Sequence, residues 1–279
     1  MDELGIVITS KKTYWDFNWR AIWNARDLVR VFIYRDFTAR FKQTILGPLW
    51  FVISPLLMSF IYTFVFNTVA GIPTDGMHPL VFYYGGILGW NYFAAGLNSS
   101  ANIFISNYGL FSKVYFPRLI SPIAALFSNG LQFLIQWLTF YLLCLALWLN
   151  GSEFQLGWEA VFIPLLVIPL ALLAFGFGSI ISSVTVKYRD LNHLLSFGVQ
   201  LWMYATPIVY PSSKLPPKFA FIAEFNPVAP FIETIRFCLS GIGVIPWRGL
   251  LIASIITVLV TFLGLLVFNR VEKDFIDVA

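Results

Sequence analysis

The sequence predicts an all-α membrane protein: six transmembrane helices, an N-terminal amphipathic helix at the membrane interface, and short re-entrant helices between spans five and six. Three observations carry that prediction. The 279 residues are 58% hydrophobic and 18% aromatic with only 11% charged. Soluble domains carry roughly 25% charged residues, so a water-soluble fold of this length could not cover its surface. The apolar residues gather in six runs, at about 48–70, 80–101, 120–149, 160–186, 191–210 and 249–268, each near the roughly 20 residues that cross about 30 Å of hydrocarbon. Lys and Arg, finally, crowd alternate connections, as they do where a chain weaves through a bilayer.

Residues 1–46 form a charged, aromatic N-terminal segment, and 47–279 a six-helix membrane domain. The segment lacks the layout of a cleaved signal peptide and is expected to stay attached. Within it, 28–46 has helix-forming composition but is too polar to span. At about 100° per residue, Val31, Tyr34, Phe37, Phe41 and Ile45 share one arc and Arg35, Asp36, Arg40, Lys42 and Gln43 lie mostly opposite, while Arg30, Phe32 and Ile33 spoil the pattern. A helix lying along the membrane surface fits this; a solvated tether is the alternative. Gly47-Pro48 then starts the first span, where proline's missing N–H costs little.

Backbone in lipid must satisfy its own hydrogen bonds, so the six runs are helices, and they are too long for the roughly ten-residue strands of a barrel. The N-terminal segment holds Lys11, Lys12, Arg20, Arg26, Arg30, Arg35, Arg40 and Lys42. The second connection has Lys113 and Arg118, the fourth Lys187 and Arg189, the tail Arg270 and Lys273. The first and third connections have none, and the fifth has Lys214, Lys218, Arg236 and Arg248. Fourteen against four places both termini in the cytoplasm.

Two connections exceed what a linker needs. Residues 103–118, IFISNYGLFSKVYFPR, mix Phe104, Leu110, Phe111, Val114, Tyr115 and Phe116 with Lys113 and Arg118. Exposed, they call for a covering partner; the alternative is that they fold under their own bundle. If a partner docks there, Phe111 and Phe116 are expected to face it. The fifth connection joins the proline-rich YPSSKLPPKF to FNPVAPFIETIRFCLSGIG. Asn226-Pro227 reads as a helix start and Gly241 as a stop, and the helix between, about 18–20 Å long, is too short to cross. Glu233 and Arg236, three apart, can neutralise each other on one face. A re-entrant or surface hairpin acting as a gate fits; a structural lid is the alternative.

Chemistry-bearing motifs are scarce. No phosphate-binding G-x-x-x-x-G-K-[ST] is present. His78 and His193 lack companions for a metal or base site, and Cys144 and Cys238 read as small buried apolar residues. No metal or cofactor is expected in this chain, and no basic aromatic stripe suggests nucleic acid. The spans hold almost no ionisable residue, which disfavours ion-coupled pumping and paired-carboxylate catalysis. They do hold uncharged polarity and rings: Trp50, Ser54 and Tyr62 in the first, Trp90 in the second, Gln200, Trp202 and Tyr204 in the fifth. Many would serve as interfacial belt residues. A path for a neutral, hydroxyl-rich polymer would need the same chemistry, because rings pack on sugar C–H faces and no fixed charge traps the chain.

RDFTARFKQTILGPLWFVISPLLMSFIYTFVF, LFSKVYFPRLISPIAA, VKYRDLNHLLSFGVQLWMYATPIVYP and FNPVAPFIETIR resemble, in order, the membrane subunits of polysaccharide-exporting ABC transporters, the ABC-2-type permeases of the O-antigen branch. The resemblance runs from about Arg35 to the end. It implies a homodimer in the bacterial inner membrane with two copies of a separate ATPase subunit that hold ATP and Mg, moving a glycan on undecaprenyl diphosphate. It further implies that Leu110, Phe111, Lys113, Tyr115, Phe116 and Arg118, with Lys187, Arg189 and Asp190, couple to the ATPase. Arg35, Arg40 and Lys42 would attract the lipid head group; Trp50, Ser54, Tyr62, Trp90, Gln200, Trp202 and Tyr204 would line the channel; Asn226, Pro227, Glu233 and Arg236 would belong to the periplasmic gate. The chain itself would be no enzyme. Competing readings are export of teichoic acid, capsule or a small amphiphile, and a membrane-bound transferase, for which no convergent acid/base site is visible.

Overall fold

The computed structural model describes residues 19–114, 116–149, 157–188, 190–216, 218 and 220–278, and among these every regular element is helical. Helix α1 (Trp19–Asn24) leads into α2 (Arg26–Ala39). The amphipathic helix thus starts earlier and stops sooner than the expected 28–46. Its faces also differ from expectation. Phe32 is its buried residue, with Val29 and Ile33 partly buried beside it, whereas Val31 and Tyr34 are exposed. The residue that spoiled the pattern is an anchor, and the expected arc divides: Phe37 and Phe41 pack against Phe51, whereas Val31, Tyr34 and Ile45 are exposed.

After a turn at Gly47–Leu49, α3 (Trp50–Tyr62) continues as a π-helical stretch, Thr63–Val69. Ser59 and Thr63 turn their hydroxyls back onto the carbonyls of Leu56 and Ser59, each at 2.8 Å. Such back-bonding loosens a helix. Helix α4 (Pro79–Ala101) is the hub: sixteen of its 23 residues are buried, and it packs against α3, α7 (Ile120–Leu149), α8 (Ile163–Thr185) and α11 (Ala229–Ser240). Helices α5 (Ile103–Ser106) and α6 (Tyr108–Phe111) occupy the connection to α7. Helix α8 is pressed between α4 and α12 (Trp247–Val278): a Cβ at Gly178 would lie 2.4 Å from the Ser100 Cβ, and one at Gly264 2.6 Å from the Gly176 Cα. Small residues let backbones approach this closely, as membrane helices require.

Four helices among the described residues are long and apolar enough to cross a membrane: Gly47–Val69, Ile120–Leu145, Trp158–Thr185 and Trp247–Glu272. The expected second and fifth spans fall short for different reasons. Helix α4 has the length, about 34 Å, but its Tyr, Asn and Ser residues make it less apolar than the other spans; Tyr83, Tyr84, Tyr92 and Ser100 are buried in the bundle, whereas Asn91 is exposed. Helix α9 (Leu191–Ala205) ends five residues before the expected 210. Thr206 is extended (φ −94°, ψ 138°) ahead of Pro207, since a residue before proline is driven out of the helical region. At about 22 Å it is too short to cross alone. Beyond it come α10 (Ala220–Phe225) and α11, which Gly241 closes in the left-handed conformation (φ 66°).

Candidate functional site

The residues singled out by sequence fall near the two ends of α4 and along α3, α4 and α9 between them. At the end near Ala101, α2 lies against α7. Arg40 donates from Nη1 to the Gln132 side chain at 2.6 Å and from Nη2 to Asn129 Oδ1. Partial burial there lowers its pKa, with the Asp36 carboxylate opposing; an arginine stays charged regardless. Arg35 donates to Asp36 at 2.8 Å and to Asn107 Oδ1 at 3.2 Å, its guanidinium 4.5 Å from the Phe32 ring centre. Lys42 is exposed. Among the described residues the side-chain acceptors of Arg40 are neutral amides, with the Asp36 carboxylate near enough to act on its charge without bonding to it. Asn107, in the connection, and Asn129 and Gln132, on α7, were not foreseen, because an amide gives no hint of which distant cation it will meet.

The connection 103–118 divides its apolar residues. Phe111 and Phe116 are buried, in one cluster with Phe32, Phe104, Ile120, Phe175 and Phe268. The Phe116 ring meets that of Phe32 edge-on at 5.4 Å, and Phe104 lies 5.0 Å from Phe268. Arg118 reaches the main-chain carbonyl of Glu272 at 2.9 Å and sits 5.4 Å from the Phe111 ring. The two phenylalanines expected to face a partner thus face the protein's own bundle. Tyr108, Lys113 and Val114 are the exposed part, with Leu110 half-buried; Tyr115 and Arg189 lie outside the described residues. Thr185 Oγ1 donates to the Ala101 carbonyl at 2.9 Å, so the fourth connection, carrying exposed Lys187 and Asp190, leaves the bundle beside the second.

The expected lining residues also separate. Trp50, Ser54, Gln200 and Tyr204 are exposed on α3 and α9, whereas Tyr62 and Trp90 are buried and Trp202 is half-buried. Trp202 packs edge-on against Phe93 and Phe177, both at 5.1 Å, and 6.3 Å from Trp90. These four rings stitch α4, α8 and α9 together within one chain.

At the other end of α4 the broken end of α9 meets α11. Asn226 Oδ1 accepts from Trp202 Nε1 (3.2 Å) and from the Val228 N–H (3.1 Å), while its Nδ2 donates to Thr206 Oγ1 (2.8 Å). It caps the approach to α11 and ties it to α9. Pro227 is buried beside it. Arg236, 2% exposed, donates from Nε to the Phe82 carbonyl (3.0 Å), from Nη1 to Pro207 (2.6 Å) and from Nη2 to Ile208 (2.6 Å), lying 3.6 Å over the Phe82 ring. The expected Arg236–Glu233 pairing is therefore replaced by three main-chain acceptors. Two of those carbonyls belong to the chain just past the end of α9, where no helix supplies partners. Glu233 instead lines a cavity of about 150 Å³ with Asp75, Ser212, Phe237 and Arg236, and Asp75 accepts from Ser213 Oγ at 2.7 Å.

Residues 27–239 match the family model described as ABC-2 type transporter. Two proteins of Klebsiella pneumoniae named O-antigen export system permease protein RfbA are 32% and 31% identical over 252 residues, 90% of this chain and 95% of theirs. A protein of the same name from Myxococcus xanthus is 27% identical over 198 residues, covering 70% of this chain and 73% of its own.

Proposed function

The chain belongs to the ABC-2 type transporter family, and from that premise we propose that it is the permease subunit of a polysaccharide exporter of the O-antigen type. The observation that carries the reading is the likeness to O-antigen export permeases over nine-tenths of the chain. In this reading the cargo is a glycan on undecaprenyl diphosphate, and α4 and α9 complete a set of six membrane helices. Two copies of the chain pair in the bacterial inner membrane, with both termini cytoplasmic. ATP and Mg bind to a separate nucleotide-binding subunit, in keeping with a sequence that has no phosphate-binding loop.

Each end of α4 has its task. Arg40, Arg35 and Lys42 offer positive charge to the diphosphate; the amide acceptors at Arg40 support this, because they leave more of its charge for an anion than a directly bonded carboxylate does, as Asp36 is at Arg35. Tyr108, Lys113 and Val114 receive the ATPase. A push on them passes through Phe111 and Phe116 to Phe32 on α2, and through Arg118 to the end of α12. The exposed Trp50, Ser54, Gln200 and Tyr204 line the polymer's path between the two copies, while Tyr62, Trp90 and Trp202 hold the wall behind them.

Reconstitution of the permease with its ATPase subunit in vesicles tests the reading. ATP hydrolysis is expected to rise with an undecaprenyl-diphosphate-linked glycan and to be indifferent to small amphiphiles. Stimulation by an amphiphile alone would replace the polymer reading with small-molecule export, and turnover of the lipid substrate by the permease without its ATPase would replace transport with transfer chemistry.

A further inference from the structure

We infer that Arg236, with Asn226, is a positioning residue that makes α11, the broken end of α9 and the first turns of α4 one rigid body, so that cargo passes without α11 swinging away from α4. The inference rests on the transport reading above and adds which parts stay together during transport.

Three independent features meet here. The guanidinium spans two otherwise separate elements, bonding Phe82 on α4 and residues 207 and 208 after α9. Helix α4 is carved to receive it: a Cβ at Gly86 would lie 2.7 Å from Arg236 Nη2, one at Gly85 3.1 Å from the Leu239 Cδ1, and one at Gly89 2.9 Å from the Ile235 Cδ1. Glycines at these spacings share one face of the helix, and α11 lies in the groove they leave. Asn226 then ties the approach to α11 to the end of α9 a second time, through Trp202 and Thr206. A swing of α11 would break, together, three charge-assisted bonds of a guanidinium that is 2% exposed. Glu233 would travel with Arg236 on the same helix; it can offset the charge but cannot hold α11 in place. Moving all three elements together breaks none of these bonds.

A reversible tether tests this in the complete permease–ATPase complex, in a Cys144→Ala, Cys238→Ala background. Gly89→Cys with Ile235→Cys joins α4 to α11 when oxidised. Asp75→Cys with Ser213→Cys, whose native side chains already touch at the surface, joins the loop before α4 to the loop after α9 without entering the packed seam. Glycan export is expected to run at the same rate oxidised and reduced for both pairs. Arg236→Met is expected to lose export while its complex still assembles, and the oxidised Gly89→Cys/Ile235→Cys tether is expected to restore it, which a role confined to folding would not produce. Export abolished by either disulfide and recovered with reductant would overturn the inference, as would full export by Arg236→Met. If the cysteine-free parent exports no glycan at all, the transport reading falls instead.

Discussion

Near one end of α4 an arginine is held by side chains at the surface; near the other an arginine is held by main chain in the interior. Arg40 leans on Asn129 and Gln132 and keeps its charge open to solvent. Arg236 is wrapped by three carbonyls and an aromatic ring. A cation meant to meet a passing anion needs partners that are neutral and easily left. A cation meant to fix geometry needs partners that cannot rotate away, and main-chain carbonyls have that property. Burial and acceptor type, more than residue identity, separate the two roles.

The largest effect is expected where the contrast is sharpest. Arg236→Ala leaves the buried carbonyls of Pro207 and Ile208 without donors and takes a second donor from that of Phe82, a loss of about 2–4 kcal/mol at about 1–3 kcal/mol per unsatisfied group with partial relaxation, read by denaturant unfolding of the purified permease. An intact unfolding midpoint would mean that water replaces the guanidinium and that the interior is wetter than drawn here. Next comes the connection 103–118, where two apolar residues of similar appearance should behave oppositely. Phe111→Asp places a carboxylate in the Phe32–Phe116 cluster and is expected to cost about 2–4 kcal/mol of stability. Val114→Asp, exposed, is expected to leave unfolding unchanged and to lose co-purification with the ATPase subunit. Equal behaviour of the two would erase the distinction between the buried and exposed halves of this segment. The smallest effect on stability belongs to Arg40→Gln, below about 1 kcal/mol for a surface contact, yet its affinity for lipid-diphosphate vesicles is expected to fall. Loss of stability without loss of affinity would recast Arg40 as a second structural clamp.

What the sequence made legible follows from what side chains reveal. Long lipid-facing runs announce themselves because nearly every residue is apolar, and α3, α7, α8 and α12 stand close to where they were expected. The early end of α9 was present in Thr206-Pro207 and could have been read from the proline's effect on its neighbour. The partners of Arg236 could not have been read: its acceptors are carbonyls of Phe82, Pro207 and Ile208, and any residue supplies a carbonyl. Phe32 misled because α2 carries apolar residues beyond the expected arc, and periodicity cannot say which of them meet protein. Phe111 and Phe116 were correctly marked as needing cover, but composition cannot distinguish cover by a partner from cover by the chain's own helices.

Helix α8 has glycine facing neighbours on both flanks, Gly178 toward Ser100 and Gly176 toward Gly264. A methyl group added on either flank asks the helix to retreat toward the other, where there is no slack. Relief on one side is injury on the other, so α8 is a party wall, and α4 and α12 keep their separation only while it stays thin.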